Sequence, residues 1–315
     1  MLKHLAVTFA LFAAPVLADE NIADQYPQSP LYQKPVEVIP NVWSAIGATA
    51  PPTYENSGHN NNLSFVITDE GVVVVNAGAA YILAEALHEE IKQITDQPVV
   101  LVINENGQGH AMLGNTYWAE QGVKILAHED AAAEVEDYGY DILDRMKGYN
   151  QDKAEGTEVT PPTETFEDRY DLTLGGVEIQ VLYLGPAHSP GDISVWLPQQ
   201  KLVIAGDMAF HERMLPIFEH TETGEWIETW DNEFEPLGAV YVIPGHGHPT
   251  NMDQVRRYTR DYLAYLREKI GEHIDNDGEL ADAYYIDQSP YKRLHTFKEL
   301  ATRNAGRVFE QMEFE

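Results

Sequence analysis

Apolar and polar positions along the chain form short blocks that predict strands followed by helices, and this order occurs twice. In the first half, residues 62–68 and 72–75 are typical of two strands, and the intervening Asp69-Glu70-Gly71 predicts a hairpin. Apolar side chains at helical spacing over residues 81–94 predict a helix. The apolar run at residues 99–103 then predicts a buried strand.

The second half of the chain repeats this pattern. Strands are predicted at residues 177–184, 193–197, 202–205 and 239–243, and helices at residues 223–234, 252–273 and 292–311. Strands followed by helices in each half predict an α/β fold, a four-layer αβ/βα sandwich with two sheets packed together and helices outside. Ligands in such folds gather at the ends of strands.

The same pattern indicates one main domain with appended segments. We expect the domain at residues 36–272, with an inserted helix and loop at residues 134–171, where the sequence is charged and contains Pro161-Pro162. Residues 19–35 are polar and rich in proline, which predicts a flexible lead-in. Residues 273–315 predict a C-terminal helical extension that packs on the domain.

The first eighteen residues have the order of a cleavable signal peptide. Lys3 precedes an apolar run at residues 5–17, which ends in small residues before Asp19. A membrane anchor is the alternative, but the run is shorter than the ~20 apolar residues that span a bilayer. We therefore expect residues 1–18 to be removed and the protein to be periplasmic or secreted, with no membrane contact afterwards.

Composition limits both the partners and the chemistry. The 315 residues have a formal net charge of -31, which disfavours binding to nucleic acid, and we expect a small-molecule substrate. The sequence makes no prediction about the oligomeric state. No cysteine is present, so a thiolate nucleophile is excluded and a metal would be held by His, Asp, Glu, Asn or Gln.

Three polar turns that contain glycine follow predicted strands in the second half. They are His188-Ser189-Pro190-Gly191-Asp192, Ala205-Gly206-Asp207 and Pro244-Gly245-His246-Gly247. Glycine allows a tight turn at the end of a strand, which leaves a neighbouring His or Asp free to point into a cleft. Imidazole nitrogens and carboxylate oxygens are ligands that Zn²⁺ takes when cysteine is absent.

With these turns and the pieces at residues 65–78, 102–104 and 113–115, the chain resembles the metallo-β-lactamase superfamily from about residue 36 to about residue 250. The resemblance is strongest to a periplasmic metallo-hydrolase branch that is related to sulfur-oxidation and quinoprotein-associated hydrolases. It implies that His188 is a ligand of a first metal, that Asp207 bridges two metals and that His246 is a ligand of the second.

The main motif of that superfamily, His-x-His-x-Asp-His, is altered in this chain. Its positions are occupied by Asn106, Gln108, His110 and Ala111. Neutral amides are far weaker zinc ligands than imidazoles, so we expect the first metal site to be weak or lost at Asn106 and Gln108. His110 could instead join His188, Asp207 and His246 around a single Zn²⁺ or another divalent ion.

These residues lead to two hypotheses. The first is an exported hydrolase with one metal ion, which activates water against an ester, thioester or amide-type small molecule; His59, Glu105 or His211 would orient that water. The second is a metal-free or non-catalytic protein that binds a small ligand in the same cleft. The metal content of the purified protein distinguishes them.

Overall fold

The computed structural model describes residues 26–315, so the predicted signal peptide at residues 1–18 lies outside the described residues. The strands are β1 Val36–Ile39, β2 Val42–Ala45, β3 Leu63–Thr68, β4 Gly71–Val75, β5 Val99–Ile103, β6 Lys124–His128, β7 Glu164–Phe166, β8 Arg169–Leu174, β9 Val177–Leu182, β10 Ser194–Leu197, β11 Leu202–Phe210 and β12 Tyr241–His246. The α-helices are α1 Tyr81–Ile94, α2 Gly109–Met112, α3 Asn115–Glu120, α4 Glu129–Asn150, α5 Thr223–Thr229, α6 Met252–Tyr258, α7 Arg260–Asp275, α8 Leu280–Ala283 and α9 Phe297–Met312.

The strands form two sheets that pack face to face. A seven-stranded sheet has the order β1-β2-β3-β4-β5-β6-β7, and a five-stranded sheet has the order β12-β11-β10-β9-β8. The apolar cluster between them contains Val73 and Ile103 from the first sheet and Val195 and Ile204 from the second. Strands covered on both faces are apolar at almost every position, which is why residues 72–75 lack alternation.

Helices cover the outer face of each sheet. Leu83 and Leu87 of α1 pack with Trp118 of α3 in a cluster on the first sheet. Trp226 of α5 and Leu266 of α7 belong to a larger cluster on the second sheet. The four-layer αβ/βα architecture expected from the sequence is therefore confirmed.

Two segments differ from the sequence prediction. The region 134–171 contains more than a helix and a loop: β7 pairs in parallel with β6 and completes the first sheet. This strand is three residues long, too short for alternation to reveal it. The predicted helix at residues 252–273 is divided at Thr259, whose hydroxyl donates to the Phe210 carbonyl and whose backbone departs from helical geometry.

Both appended segments are tied to the domain where they are described. Leu31 and Tyr32, in the expected flexible lead-in, are buried, and Leu31 packs in the cluster beneath α1. Apolar residues among the polar ones explain this docking. The proposed boundary at residue 272 falls inside α7, and Ala305 and Phe309 of α9 belong to the same cluster as α7.

None of the helices in residues 26–315 is both long enough and apolar enough to cross a bilayer.

Candidate metal centre

Asp207 lies where the pairing of β11 with β12 becomes irregular. The pairing is regular from Leu202 to Ile204 and shifts at Gly206. Gly206 has φ +60°, and a Cβ there would lie 2.5 Å from Glu105 Oε2, so this close approach requires glycine. The sequence analysis placed Asp207 after a strand, but β11 continues through this irregularity to Phe210.

Three histidines from separate segments meet at the Asp207 carboxylate. Its Oδ1 lies 3.2 Å from Nε2 of His246, the last residue of β12. Its Oδ2 lies 3.5 Å from Nε2 of His110 in α2 and 3.5 Å from Nδ1 of His188 in the loop after β9. The candidate ligand atoms of His110, Asp207 and His246 all lie within 4.8 Å of one another, a spacing compatible with one metal ion.

The His246 ring presents an unprotonated nitrogen to Asp207. Its Nδ1 has two polar neighbours: the carbonyl oxygen of Asn60, which can only accept, and Arg213 Nη1, which can only donate and lies 3.2 Å away. The Asn60 carbonyl is the closer of the two, and we therefore assign the ring proton to Nδ1. Burial and the nearby Arg213 lower the pKa of His246 to about 4, so the ring is neutral at pH 7. Nε2 therefore faces Asp207 Oδ1, a buried oxygen that has no hydrogen-bond partner among the described residues. Two buried acceptors that face each other are stabilised by a cation between them.

Asn62 connects this end of β12 to the first sheet. Its Nδ2 donates to the carbonyls of Pro244, at 2.8 Å, and Gly247, at 2.7 Å. Its backbone N–H donates to the Gly245 carbonyl at 2.8 Å. The backbone on both sides of His246 is thus fixed by one residue at the start of β3.

Glu105 lies behind His110. Its Oε1 is 3.0 Å from His110 Nε2, and its side chain is 1% exposed. Burial opposes a charged imidazole, but Asp207 and Glu105 together raise the pKa of His110 above its usual value. A metal at this nitrogen therefore competes with a proton. Glu105 does not line the cavity beside the cluster, so the structure places it as a residue that orients His110.

The side-chain amides of Asn106 and Gln108 form hydrogen bonds with neighbouring side chains. Asn106 Nδ2 donates to Asp192 Oδ1 at 3.0 Å and to Asp207 Oδ2 at 3.4 Å. Gln108 Nε2 lies 3.0 Å from His188 Nδ1. Burial, and then the charge of Asp207, raise the pKa of Asp192 well above its usual value. His188 thus contacts both an amide and the Asp207 carboxylate.

Two residues that were expected to orient water lie away from this cluster. His59 is fully buried, and its Nδ1 accepts from the backbone N–H of Tyr32. His211 Nδ1 lies 2.8 Å from the His248 carbonyl, and its ring packs on Tyr258. Neither side chain lines the cavity. The loop at residues 57–62 turns His59 toward the protein interior, a direction that sequence spacing does not encode.

A cavity of about 730 Å³ opens beside the cluster and contains residues that the sequence analysis missed. Arg213 is buried on its wall, with Nη1 3.2 Å from His246 Nδ1. Glu134 of α4 also lines it, and burial raises the pKa of its carboxyl group. The helical spacing of Glu134, Ile142 and Tyr149, which share one face of α4, could have indicated the cavity wall.

The residues present fit one divalent cation. Two imidazoles and a carboxylate are a donor set that Zn²⁺ accepts. The unpartnered Asp207 Oδ1 opposite the unprotonated His246 Nε2 is the observation that supports this fit. His188 is close enough to Asp207 to join such a site if Gln108 shifts.

Sequence comparisons agree with the fold. Residues 112–249 match the sequence model of the Metallo-beta-lactamase superfamily. The chain is 23% identical over 239 residues to the linear primary-alkylsulfatase of Pseudomonas sp. (strain ATCC 19151), and the aligned region covers 64% of this chain and 44% of that protein. It is 23% identical over 193 residues to the metallo-beta-lactamase type 2 of Bacteroides fragilis, and this aligned region covers 58% of this chain and 70% of that protein. The match therefore spans less than half the length of the alkylsulfatase.

Solved structures show the same architecture. A metallo-beta-lactamase from Pontibacter korlensis superimposes with a TM-score of 0.59 and 21% identity, covering 73% of this chain and 98% of that chain. The stereoselective inverting sec-alkylsulfatase Pisa1 from Pseudomonas sp. superimposes with a TM-score of 0.68 and 18% identity, covering 93% of this chain and 54% of that chain. The chain therefore has the metallo-β-lactamase fold. The segment that matches the Metallo-beta-lactamase superfamily model, residues 112–249, includes His188, Asp207 and His246.

Proposed function

We propose that the protein is a metal-dependent hydrolase that acts on a small-molecule ester, thioester or amide with one metal ion, Zn²⁺ or a similar divalent cation. The observation that carries this proposal is the meeting of His110, Asp207 and His246 within 4.8 Å, although they come from three separate segments. The hydrolases among its relatives, an alkylsulfatase and a β-lactamase, support the reaction class.

In the proposed mechanism, His110, Asp207 and His246 hold the ion, with His188 beside them. Held by these residues, a divalent ion would supply Lewis acidity for the attack of water on an acyl or related ester centre. Glu105 holds the His110 ring in place, and the Asn60 carbonyl keeps the proton of His246 on Nδ1. Burial lowers the pKa of His188 to about 4 against the opposing charge of Asp207, so the His188 ring is neutral at pH 7.

One ion fits this arrangement better than two. Asn106 and Gln108 occupy the positions that the resemblance assigns to ligands of the first metal, and both bind their neighbours through amide hydrogen bonds. We also propose that the chain carries an altered His-x-His-x-Asp-His motif and is related to the periplasmic metallo-hydrolase branch. We likewise propose that the protein is exported to the periplasm or the medium and that residues 1–18 are cleaved.

A second candidate is a protein that binds its ligand without a metal. The observation that favours it is the position of His110 between the carboxylates of Glu105 and Asp207, which favour a protonated ring and raise its pKa against the effect of burial. In this form an imidazolium supplies the positive charge that a metal would otherwise supply.

The decisive measurement is elemental analysis of the purified protein beside a His110→Ala variant and a His220→Ala control. His220 is exposed and lines the cavity, but it does not contact Asp207. We expect about one divalent ion per chain in the native protein and the control, and a large loss in His110→Ala. Full metal in His110→Ala contradicts the ligand assignment, and metal-free native protein supports the second candidate.

Activity gives the second arm of the test. The native protein is assayed on a panel of chromogenic esters, thioesters and amides, before and after removal of metal with a chelator. We expect hydrolysis that is lost on chelation and restored by Zn²⁺. Hydrolysis that is unchanged without metal would contradict the mechanism.

A further inference from the structure

The residues that the sequence indicated for orienting water do not reach the cavity. His59 and His211 do not line it, and Glu105 contacts His110 from behind. Hydrolysis is faster when a side chain that is close to the attacking water takes a proton from it. A group for this step must therefore lie elsewhere on the cavity wall.

Among residues 26–315, three side chains with a carboxyl group line the cavity: Glu134, Asp207 and Glu299. Asp207 is a candidate metal ligand, and its oxygens already contact the histidines. Glu299 on α9 is exposed to solvent. Glu134 on α4 is half-buried, so it is the carboxyl group that lies within the cavity wall and has no role in the proposed mechanism.

The first turns of α4 pack against both loops that carry candidate histidine ligands. A Cβ added to Gly107, in the loop before α2, would lie 2.7 Å from Glu134 Oε2. A Cβ added to Gly191, in the loop after β9, would overlap the backbone nitrogen of Ala131. Glycine allows both close approaches. The position of Glu134 relative to the candidate metal centre is therefore set by direct packing on these two loops.

Glu134 is held there with an unsatisfied oxygen. Its Oε2 is buried and has no hydrogen-bond partner among the described residues. Burial raises the pKa of the carboxyl group, although the charge of His110, the backbone N–H of Gly107 and the charge of Arg145 act in the opposite direction. A buried carboxylate oxygen without a donor lowers stability. Groups that are retained in such surroundings are common at functional sites.

We propose that Glu134 is the general base of the hydrolysis: its carboxylate takes a proton from the water that attacks the substrate and returns it to the leaving group. This inference rests on the proposed function and deepens it, because it names the residue that moves the proton. The attacking water would stand in the cavity beside Asp207, the space that Glu134 also lines.

The proposed step conserves atoms and charge. The water oxygen forms a bond to the acyl carbon, and one proton of the water passes to the Glu134 carboxylate. The bond from this carbon to the oxygen, sulfur or nitrogen of the leaving group then breaks, and Glu134 gives the proton to that atom. One water is consumed for each substrate, the carboxylate is regenerated, and no group is oxidised or reduced. Burial of Glu134 makes its carboxylate a stronger base than an exposed one, which favours the first transfer.

The test compares Glu134→Gln with a matched control, Glu136→Gln. Glutamine keeps the size of the side chain and an acceptor oxygen, but it cannot take the proton. Glu136 lies on the same helix, is exposed and does not line the cavity. We expect kcat of Glu134→Gln to fall by about 10²–10⁴-fold with KM changed by less than about threefold, and kcat of the control to stay within about twofold of the native value. Native kcat in Glu134→Gln overturns the proposal.

Two measurements other than activity distinguish a base from a structural residue. Elemental analysis of Glu134→Gln should give the native metal content, because Glu134 is not among the side chains that meet at the candidate metal centre. The midpoint of urea unfolding should be unchanged or higher, because the substitution removes a buried charge. Loss of metal or a lower midpoint in this variant would show that Glu134 supports the site or the fold, and would overturn its assignment as a base.

The choice of leaving group and the metal dependence complete the test. Nitrophenolate leaves without a proton, whereas an alkoxide or an amide nitrogen requires one, so Glu134→Gln should lose more activity on alkyl esters and amides than on nitrophenyl esters. Equal losses on all of them overturn the second proton transfer. Native protein without metal-dependent hydrolysis would refute the proposed function and this inference together. Metal-dependent hydrolysis that Glu134→Gln retains in full would refute this inference alone.

Discussion

The two halves of the candidate site satisfy their polar groups in different ways. In the loop after β5, Asn106 and Gln108 donate to acceptors that lie beside them. Around Asp207, by contrast, an unprotonated nitrogen of His246 faces a carboxylate oxygen. An amide carries both donors and acceptors and needs no ion, whereas two acceptors in contact need a proton or a cation. The difference indicates that metal binding is concentrated in the second half of the site.

The largest effect is expected for Asp207→Asn. This change removes a negative charge that contacts His110, His188 and His246 together, so metal affinity should fall by at least about a hundredfold. Elemental analysis after dialysis measures it. Asp192→Asn is the matched control: it is equally buried and contacts Asn106, but it faces the amides. Loss of metal in the control as well would remove the distinction between the halves.

The converse change should create a second metal site. With Asn106→His and Gln108→His together, the loop would offer two imidazoles beside His188, and we expect about two ions per chain where the native protein holds about one. Adding His188→Ala to the double variant should return the content to about one. A double variant that still binds a single ion would show that the amide side chains are not what prevents metal binding in the first half of the site.

A smaller effect is expected at Gly245, which supports the second half sterically. A Cβ at this position would lie 2.5 Å from Asp207 Oδ1 and 2.8 Å from the Gly206 carbonyl oxygen. Gly245→Ala should lower the free energy of unfolding by about 1–3 kcal/mol and should also weaken metal binding. Denaturant titration and elemental analysis measure the two effects.

The matched control for Gly245→Ala is Gly148→Ala in α4, where nothing lies within 4 Å of the added carbon. That substitution should raise the free energy of unfolding by about 0.5–1 kcal/mol. If both alanine variants behaved alike, close packing at Asp207 would not be the cause.

The smallest effect concerns His59, a histidine of the first half that lies outside the metal cluster. Burial lowers its pKa to about 4, against 6.5 as its ordinary value, so between these values only the unfolded chain binds the proton. Its contribution to stability is therefore lost as the pH falls from about 6.5 to about 4. Wild type should lose about 1 kcal/mol more than His59→Gln between pH ~6.5 and ~5.5.

Urea unfolding at the two pH values gives that difference, and elemental analysis accompanies it. His59→Gln should keep its metal, because the His59 side chain is buried away from Asp207. A loss of metal in this variant would indicate that His59 contributes to the metal site.

The sequence alone allowed the sandwich to be predicted because its strands and helices have strong, separate periodicities. Val72 to Val75 are buried on both faces, and an uninterrupted apolar run shows this directly. The short strand β7 could not be recognised, since three residues carry no periodicity. Leu31 was placed in a flexible segment because local polarity gives no information about docking against a distant cluster.

The candidate site was predictable to a different extent. His188, Asp207 and His246 could be proposed because glycine-containing turns after strands mark residues that point into clefts. His110 could be proposed only through the resemblance, because it occupies a position of the altered His-x-His-x-Asp-His motif. The directions of His59 and His211 could not be predicted, since side-chain orientation in a loop depends on tertiary contacts such as that with Tyr32. Arg213 was missed for the same reason: its role depends on contact with His246, and no local pattern records it.

The hydrogen bonds of Asn62 have a consequence for engineering. One side-chain amide, at the start of β3, holds the carbonyls of Pro244 and Gly247 from a position more than 180 residues earlier in the chain. The N-terminal and C-terminal halves therefore cannot be recombined freely with those of a homologue. A chimera with a different residue at position 62 would lose the hydrogen bonds to these carbonyls. Its two sheets would then lose their alignment at the edge where the candidate metal ligands lie.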